Sequence, residues 1–305
     1  MLRLACCLLL FALSAPMRAH AAEPASRQVL VLGRVSDDPK RHAEALQPML
    51  DYVVPRLRQV GIREGRILMA RDAIQMQSYL RRRRVDWVSD TAAMAVEYQR
   101  RVGAELLLST ERGGGKDYHA VFFTWRGSGI GSMADLKGRS IAFQNAYSTS
   151  SYVMPAAEML RAGLELDVLL SPLDRPAPGR VGYVFARSES NVGTWVQKRL
   201  VNAGAFSNLD WDLMGERAPG LREDLEIFHE TASVPRAIEV LAPDIDPAVR
   251  ERLREVLLDA GDDPAARDAL RRFFDTQRFV PLDAQTEQGL SRLRTNLDLV
   301  RKRLE

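Results

Sequence analysis

The chain has 305 residues, 46% of them apolar and 27% charged. That length and balance exclude a disordered chain and a single small core, and they suit two lobes of ordinary size. Its 43 Lys+Arg against 40 Asp+Glu give a formal net charge of +3, too even for a protein that holds nucleic acid by bulk charge.

The first predicted element is an address. Arg3 precedes an apolar run over residues 4–15, and Ala19 and Ala21 place small residues where a signal peptidase reads. The run is too short for a membrane span of about 20 residues. We therefore expect a signal peptide over 1–21, cut after about Ala21, and a periplasmic mature chain. Cleavage removes Arg3, Arg18 and no acid, so the net charge falls from +3 to +1. It also removes Cys6 and Cys7, the only cysteines, leaving no disulfide, thiolate metal site or cysteine nucleophile. His42, His119 and His229 lie far apart without metal-ligand spacing, so no metal and no cofactor are expected.

Beyond the leader, strands are predicted at 28–33, 66–70, 85–88 and 105–110, alternating with helices over 42–60, 72–83 and 91–101. Asp72 is read as the N-cap of the second helix. Four arginines, 81–84, end that helix and read as its solvated C-terminus. Glycines 113–115 lack the Lys-Ser ending of a phosphate loop and read as a flexible connection. Strands follow at 118–125, 140–143, 181–186, 203–206 and 226–230. Helices are placed at 133–136, 150–162 and 191–200, with 164–178 and 231–236 irregular, and the chain past 247 reads as nearly all helix. The pattern is an α/β fold of two lobes, the second inserted into the first. Lobe 1 is expected over 27–117 plus 212–285, lobe 2 over 118–211, and a C-terminal amphipathic helix over 286–305. Two crossings imply a hinge and a cleft, the place where ligands meet strand ends. The last helix carries Leu290, Leu293, Leu297, Val300 and Leu304 at heptad spacing. This seam either packs back on lobe 1 or makes a homodimer.

The sharpest local signal is the hydroxyl run Ser148, Thr149, Ser150 and Ser151, which opens a helix directly after a strand. A helix N-terminus presents unpaired N–H groups and partial positive charge, and short hydroxyl side chains add donors. Such a turn can hold an oxyanion without any arginine; an empty capped helix carries the same pattern.

Here the residues resemble a known family. STSSYVMP (148–155) is similar to the STSG-x-x-x-P segment of periplasmic phosphate/phosphite/phosphonate-binding proteins, the receptors of the corresponding ABC importers. VLGRVSDDPKRHAEALQPMLDYV (31–53), RVDWVSDTAAMAVE (84–97), KDYHAVFF (116–123) and SMADLKGRSIAF (132–143) follow in the family's order. The resemblance covers about 28–282 and implies a two-lobed type II periplasmic-binding fold. It implies that Ser148, Thr149 and Ser150 bind phosphoryl oxygens and that Tyr118 is the family's crossing-strand tyrosine. Ser151 stands where the family often has glycine, and a second family tyrosine has no counterpart near Ala73. Asp90 lies in the loop after the third strand. Glu189 and Ser190, then Ser207 and Asp210, stand where the family places polar residues in lobe 2, and the two acids suit an amine on the ligand.

The expected function is capture of a small oxyanion (phosphonate, phosphite or phosphate) by hinge closure, for import through a membrane permease. No catalytic residue is assigned and no nucleic acid is expected. A periplasmic sensor of the same fold, coupled to a membrane signalling protein, is the alternative. A hydrolase with a serine nucleophile is a further one, although no GxSxG is present.

Overall fold

Seven residues, Val29–Val35, form β1, whose centre is buried on both sides. Such an apolar run belongs in a parallel sheet covered by helices on both faces. The structure is a computed structural model that describes residues 28–36, 38–113 and 115–304. The expected leader, with Cys6 and Cys7, lies outside the described residues.

Asp38 caps α1 (Pro39–Arg56), which buries Leu46, Met49, Leu50 and Val53. Then come β2 (Glu64–Ala70), α2 (Ala73–Arg81), β3 (Trp87–Thr91), α3 (Ala92–Val102) and β4 (Glu105–Arg112). Asp72 caps α2 as read from the sequence, its carboxylate accepting from the Gln75 amide at 2.7 Å. β2 and β3 both run parallel to β1.

The chain crosses through β5 (Asp117–Tyr118) into β6 (Ala120–Trp125), β7 (Ser140–Phe143), α4 (Met154–Arg161), β8 (Leu166–Val168) and β9 (Val181–Phe185). It continues through α5 (Glu189–Gln197), β10 (Ala203–Ser207), α6 (Asn208–Arg217), α7 (Pro219–Glu223) and β11 (Leu225–Glu230). These strands make a second sheet, ordered β11-β6-β10-β7-β9-β8. β12 (Val234–Pro235) returns alongside β5, so the two crossing segments pair with each other. β13 (Ala237–Leu241), α8 (Pro247–Asp259), α9 (Arg267–Arg272), β14 (Thr276–Val280) and α10 (Ala284–Leu304) follow. The first sheet is ordered β14-β4-β13-β3-β1-β2, with β13 inserted antiparallel between β3 and β4.

Four expectations need correction. The second crossing falls after β11, not near 212, because β11 pairs with β6 in the second sheet. β14 interrupts the stretch expected to be all helix, since Thr276 and Phe279 turn inward and the strand pairs with β4. The 164–178 segment contains β8, an edge strand parallel to β9. Finally, the α10 seam is neither a dimer face nor a contact with lobe 1 alone. Leu290, Leu293, Leu297 and Val300 are buried within one chain, in an apolar cluster that joins Met94 and Tyr98 of α3 to Met154 and Ala157 of α4. α10 thus straps the two lobes together.

Candidate functional site

A cavity of about 310 Å³ opens where the two sheets face each other. Arg34, Asp90 and Arg112, from the ends of β1, β3 and β4, line one side. Ser148, Thr149 and Ser150, with Glu189, Ser207 and Asp210, line the other, and Tyr118 and Arg236 come from the crossing segments. Eight sequence candidates therefore meet here: Asp90, Tyr118, Ser148, Thr149, Ser150, Glu189, Ser207 and Asp210. Ser151 and Ser190 do not.

The hydroxyl turn is built locally. The Asn145 side chain accepts from the Tyr147 amide at 2.9 Å, and its carbonyl from the Ser148 amide at 3.2 Å. Ser148 then caps the helix, its Oγ accepting from the Ser151 amide at 3.0 Å. The first turn, Thr149–Val153, is wide (a π-helical turn), and α4 continues it. Thr149 and Ser150 are buried. Thr149 Oγ1 accepts from the Ala93 amide at 3.2 Å, a bond that reaches across the cleft to the first turn of α3. Burial pushes the Tyr118 phenol up to about 12, against hydrogen bonds from the Thr149 and Ser150 hydroxyls. The phenol is therefore neutral near pH 7 and retains its proton to donate.

Ser151, expected at the ligand, is used inside the lobe. Its Oγ donates to the Ala205 carbonyl oxygen and accepts from the Gln144 amide at 2.8 Å, tying the turn to β10 and to the end of β7. Ser190 is exposed in the first turn of α5; Ser188 caps that helix, accepting from the Asn191 amide at 3.2 Å. Ser190 thus points away from the cavity that its neighbour Glu189 lines.

The acids are partly committed. Asp90 Oδ2 accepts from Tyr98 Oη at 2.8 Å, and Oδ1 from the Thr91 amide at 2.7 Å. Burial, and then the Asp90 charge, push the Tyr98 phenol well above its ordinary value, so it stays a donor. Ser207 caps α6 and donates to Asp210 Oδ2 at 2.5 Å. Burial lifts the Asp210 carboxyl above the ordinary range, while Ser207 and Arg236 pull it back.

Sequence reasoning missed the arginines. Arg34 Nη1 donates to the Ser89 carbonyl at 2.8 Å and Arg112 Nη2 to Ser89 Oγ at 2.9 Å. Both guanidinium groups lie against the Phe274 ring, at 4.6 and 4.7 Å from its centroid. The Nε atoms of both are buried without a protein acceptor. Burial lowers Arg112 to about 9, with the buried Glu239 opposing that fall. Glu239 accepts from Trp87 Nε1 at 2.6 Å and from the Ser89 and Thr110 hydroxyls, both at 2.8 Å. Arg236 Nη1 donates to the Gly113 carbonyl at 2.6 Å. Arg34 and Arg112 belong to the C-terminal ends of strands β1 and β4, where an α/β fold gathers its ligand contacts. That rule, applied strand by strand, is the signal that could have found them.

Chemically, the cavity offers hydroxyl and helix-end donors from one side and guanidinium donors from the other, an arrangement suited to an oxyanion. Among the described residues no cluster of His, Cys, Asp and Glu is arranged to hold a metal, and no helix is long and apolar enough to cross a membrane. His119 and His229 face Glu230 and Glu158, at 3.2 and 3.4 Å.

Comparison with known proteins places the chain in a family. XAC2383 from Xanthomonas citri, solved bound to chloride ion, is 52% identical; the match covers 90% of this chain and 99% of that one, with a TM-score of 0.87. The same protein solved bound to ATP is 51% identical over 92% of this chain and 100% of that one, again with a TM-score of 0.87. PhnD1 from Prochlorococcus marinus, in complex with methylphosphonate, shares the two-lobed fold: TM-score 0.65, 18% identity, 89% of this chain and 99% of that one. Residues 35–286 match the family described as "ABC transporter, phosphonate, periplasmic substrate-binding protein". Its members are periplasmic receptors that serve an importer, not enzymes. With that match spanning most of its length, the chain belongs to the family of periplasmic substrate-binding proteins of ABC phosphonate transporters.

Proposed function

We infer that the protein captures a small phosphoryl or phosphonyl oxyanion between its lobes and delivers it to the permease of its importer. The observation that carries this reading is the convergence of Thr149, Ser150 and Tyr118 on one side of a cavity that Arg34 and Arg112 line from the other. Hydrogen bonds to a charged group contribute roughly 1.5–3 kcal/mol each, so three or four offset the association cost and support micromolar binding or better. The similar XAC2383 structures hold anions, chloride in one and ATP in the other, which supports an anionic ligand here. Ligand contacts to both lobes would favour the closed arrangement, with β5 and β12 as the hinge. The sequence around Ala21 supports export to the periplasm with loss of residues 1–21. Glu189 and Asp210 supply a counter-charge for an amine on the ligand.

The test is a thermal-shift panel on the mature chain with phosphate, phosphite, methylphosphonate and 2-aminoethylphosphonate. Ligand at 100-fold over its dissociation constant stabilises by about 2.7 kcal/mol, about 4–5 °C in Tm for a chain this size. A shift with at least one oxyanion is expected, and no shift with any of the four refutes the reading.

A further inference from the structure

The anion cavity is not closed at its far side. A second cavity of about 510 Å³ adjoins it, and Ala73, Met94 and Tyr147 line both. The second is bounded by one face of α2 along its whole length, by α3, by the loop after β7 and by the last turns of α10. Its character differs from the first. Tyr147 is 40% exposed and Ile74 70% exposed, large apolar side chains that face open space in a wall continued by Tyr152, Val153 and Val300. Its buried acid, Glu97, is taken up by Arg101 at 2.9 Å and by Arg301. Arg81, the exposed last residue of α2, lines it too and has no acidic partner among the described residues.

A bare oxyanion is satisfied by hydroxyls and guanidinium groups and would leave this apolar wall wet. An organic group attached to the anion would cover it. Tyr147 stands where the two cavities meet, so a ring joined to the phosphoryl group by a short linker would pass over its face. Cavities of roughly 300–1,000 Å³ hold ligands well above the size of phosphate.

We propose that the second cavity is the subsite for the organic body of the ligand, so that the protein selects phosphate or phosphonate esters bearing a flat ring, of nucleotide size, over the bare anion. This rests on the oxyanion reading of the first cavity. It assigns Tyr147 and Ile74 to recognition of the ring and Arg81 to a polar edge of it.

Calorimetric titration of inorganic phosphate, ribose 5-phosphate and adenosine 5′-monophosphate tests it. We expect the adenosine ester to bind about tenfold more tightly than phosphate or ribose 5-phosphate, the gain expected of stacking and apolar cover. Ile74→Glu places a charge in the second cavity only. Ile74 is exposed and sits in the first turn of α2, where an acid suits the helix dipole, so the fold tolerates it. It should remove that preference and leave phosphate affinity as it was. Tyr147→Ala should also lower the ratio of the two affinities. Equal affinities for the three probes, or a preference for the adenosine ester that survives both substitutions, overturn the subsite while the anion reading stands. No binding of any probe overturns both.

Discussion

Replacing Ser151 by alanine separates a structural tie from a ligand contact. The side chain is 1% exposed. Its hydroxyl is the acceptor for the Gln144 amide and a donor to the Ala205 carbonyl, so the substitution takes a partner from two backbone groups in the lobe interior. Each intramolecular hydrogen bond contributes about 1 kcal/mol, and a buried backbone group left unpaired costs about 1–3 kcal/mol. A loss of about 2–4 kcal/mol follows, a large part of the 5–15 kcal/mol typical of a folded domain. Urea denaturation read by tryptophan fluorescence measures it, and a parallel titration with methylphosphonate reads the site. Lower stability with ligand affinity within about threefold of wild type is expected, since Ser151 does not line the cavity. Unchanged stability with affinity lost would instead make Ser151 a ligand contact.

Three further outcomes follow. Asp210 has its carboxyl raised by burial, so the native chain takes up this proton more readily than the unfolded one. As pH rises from the ordinary carboxylate range through the raised value, ionised Asp210 destabilises the fold and repels an anion. Asp210→Asn should therefore bind methylphosphonate more tightly than wild type at neutral pH, the difference vanishing at acid pH; a constant difference across pH contradicts this. Glu239→Gln removes the carboxylate that faces Arg112 and accepts from Trp87, Ser89 and Thr110, and should cost about 3 kcal/mol in urea denaturation, as breaking a buried charge pair does. Leu293→Ala in α10 should cost about 2–5 kcal/mol of stability and leave the sedimentation coefficient unchanged, because the seam is spent inside one chain; a shift in oligomeric state would contradict that.

The first lobe was legible because its strands and helices alternate with clear stop signals: Asp72 caps α2, and Gly103 ends α3 in a left-handed turn. The sequence did not show which sheet β11 joins. β11 reads equally well as a strand of either sheet, and only its pairing with β6 assigns it. β13 carries Glu239 at its centre, an acid that breaks the apolar pattern and makes sense only beside Arg112. β14 sits in a charged helical tail, where a five-residue strand has no local signature. In the site, the Ser148–Ser150 turn stood out because its donors are consecutive in sequence. Arg34, Arg112 and Arg236 did not, because they are separated by dozens of residues and only the sheet brings them to one cavity. Ser151 and Ser190 show the converse: adjacency to a site residue says nothing about where a side chain turns.

Calorimetric titration of methylphosphonate into wild type and the Ser148→Ala/Thr149→Ala double variant tests whether the hydroxyl turn holds the anion. Two hydrogen bonds to a charged oxygen at roughly 1.5–3 kcal/mol each amount to about a hundredfold or more in affinity. Saturable binding by the wild type is expected, with a loss of at least about that size in a double variant that circular dichroism shows to be folded. Affinity retained in the folded variant would contradict it.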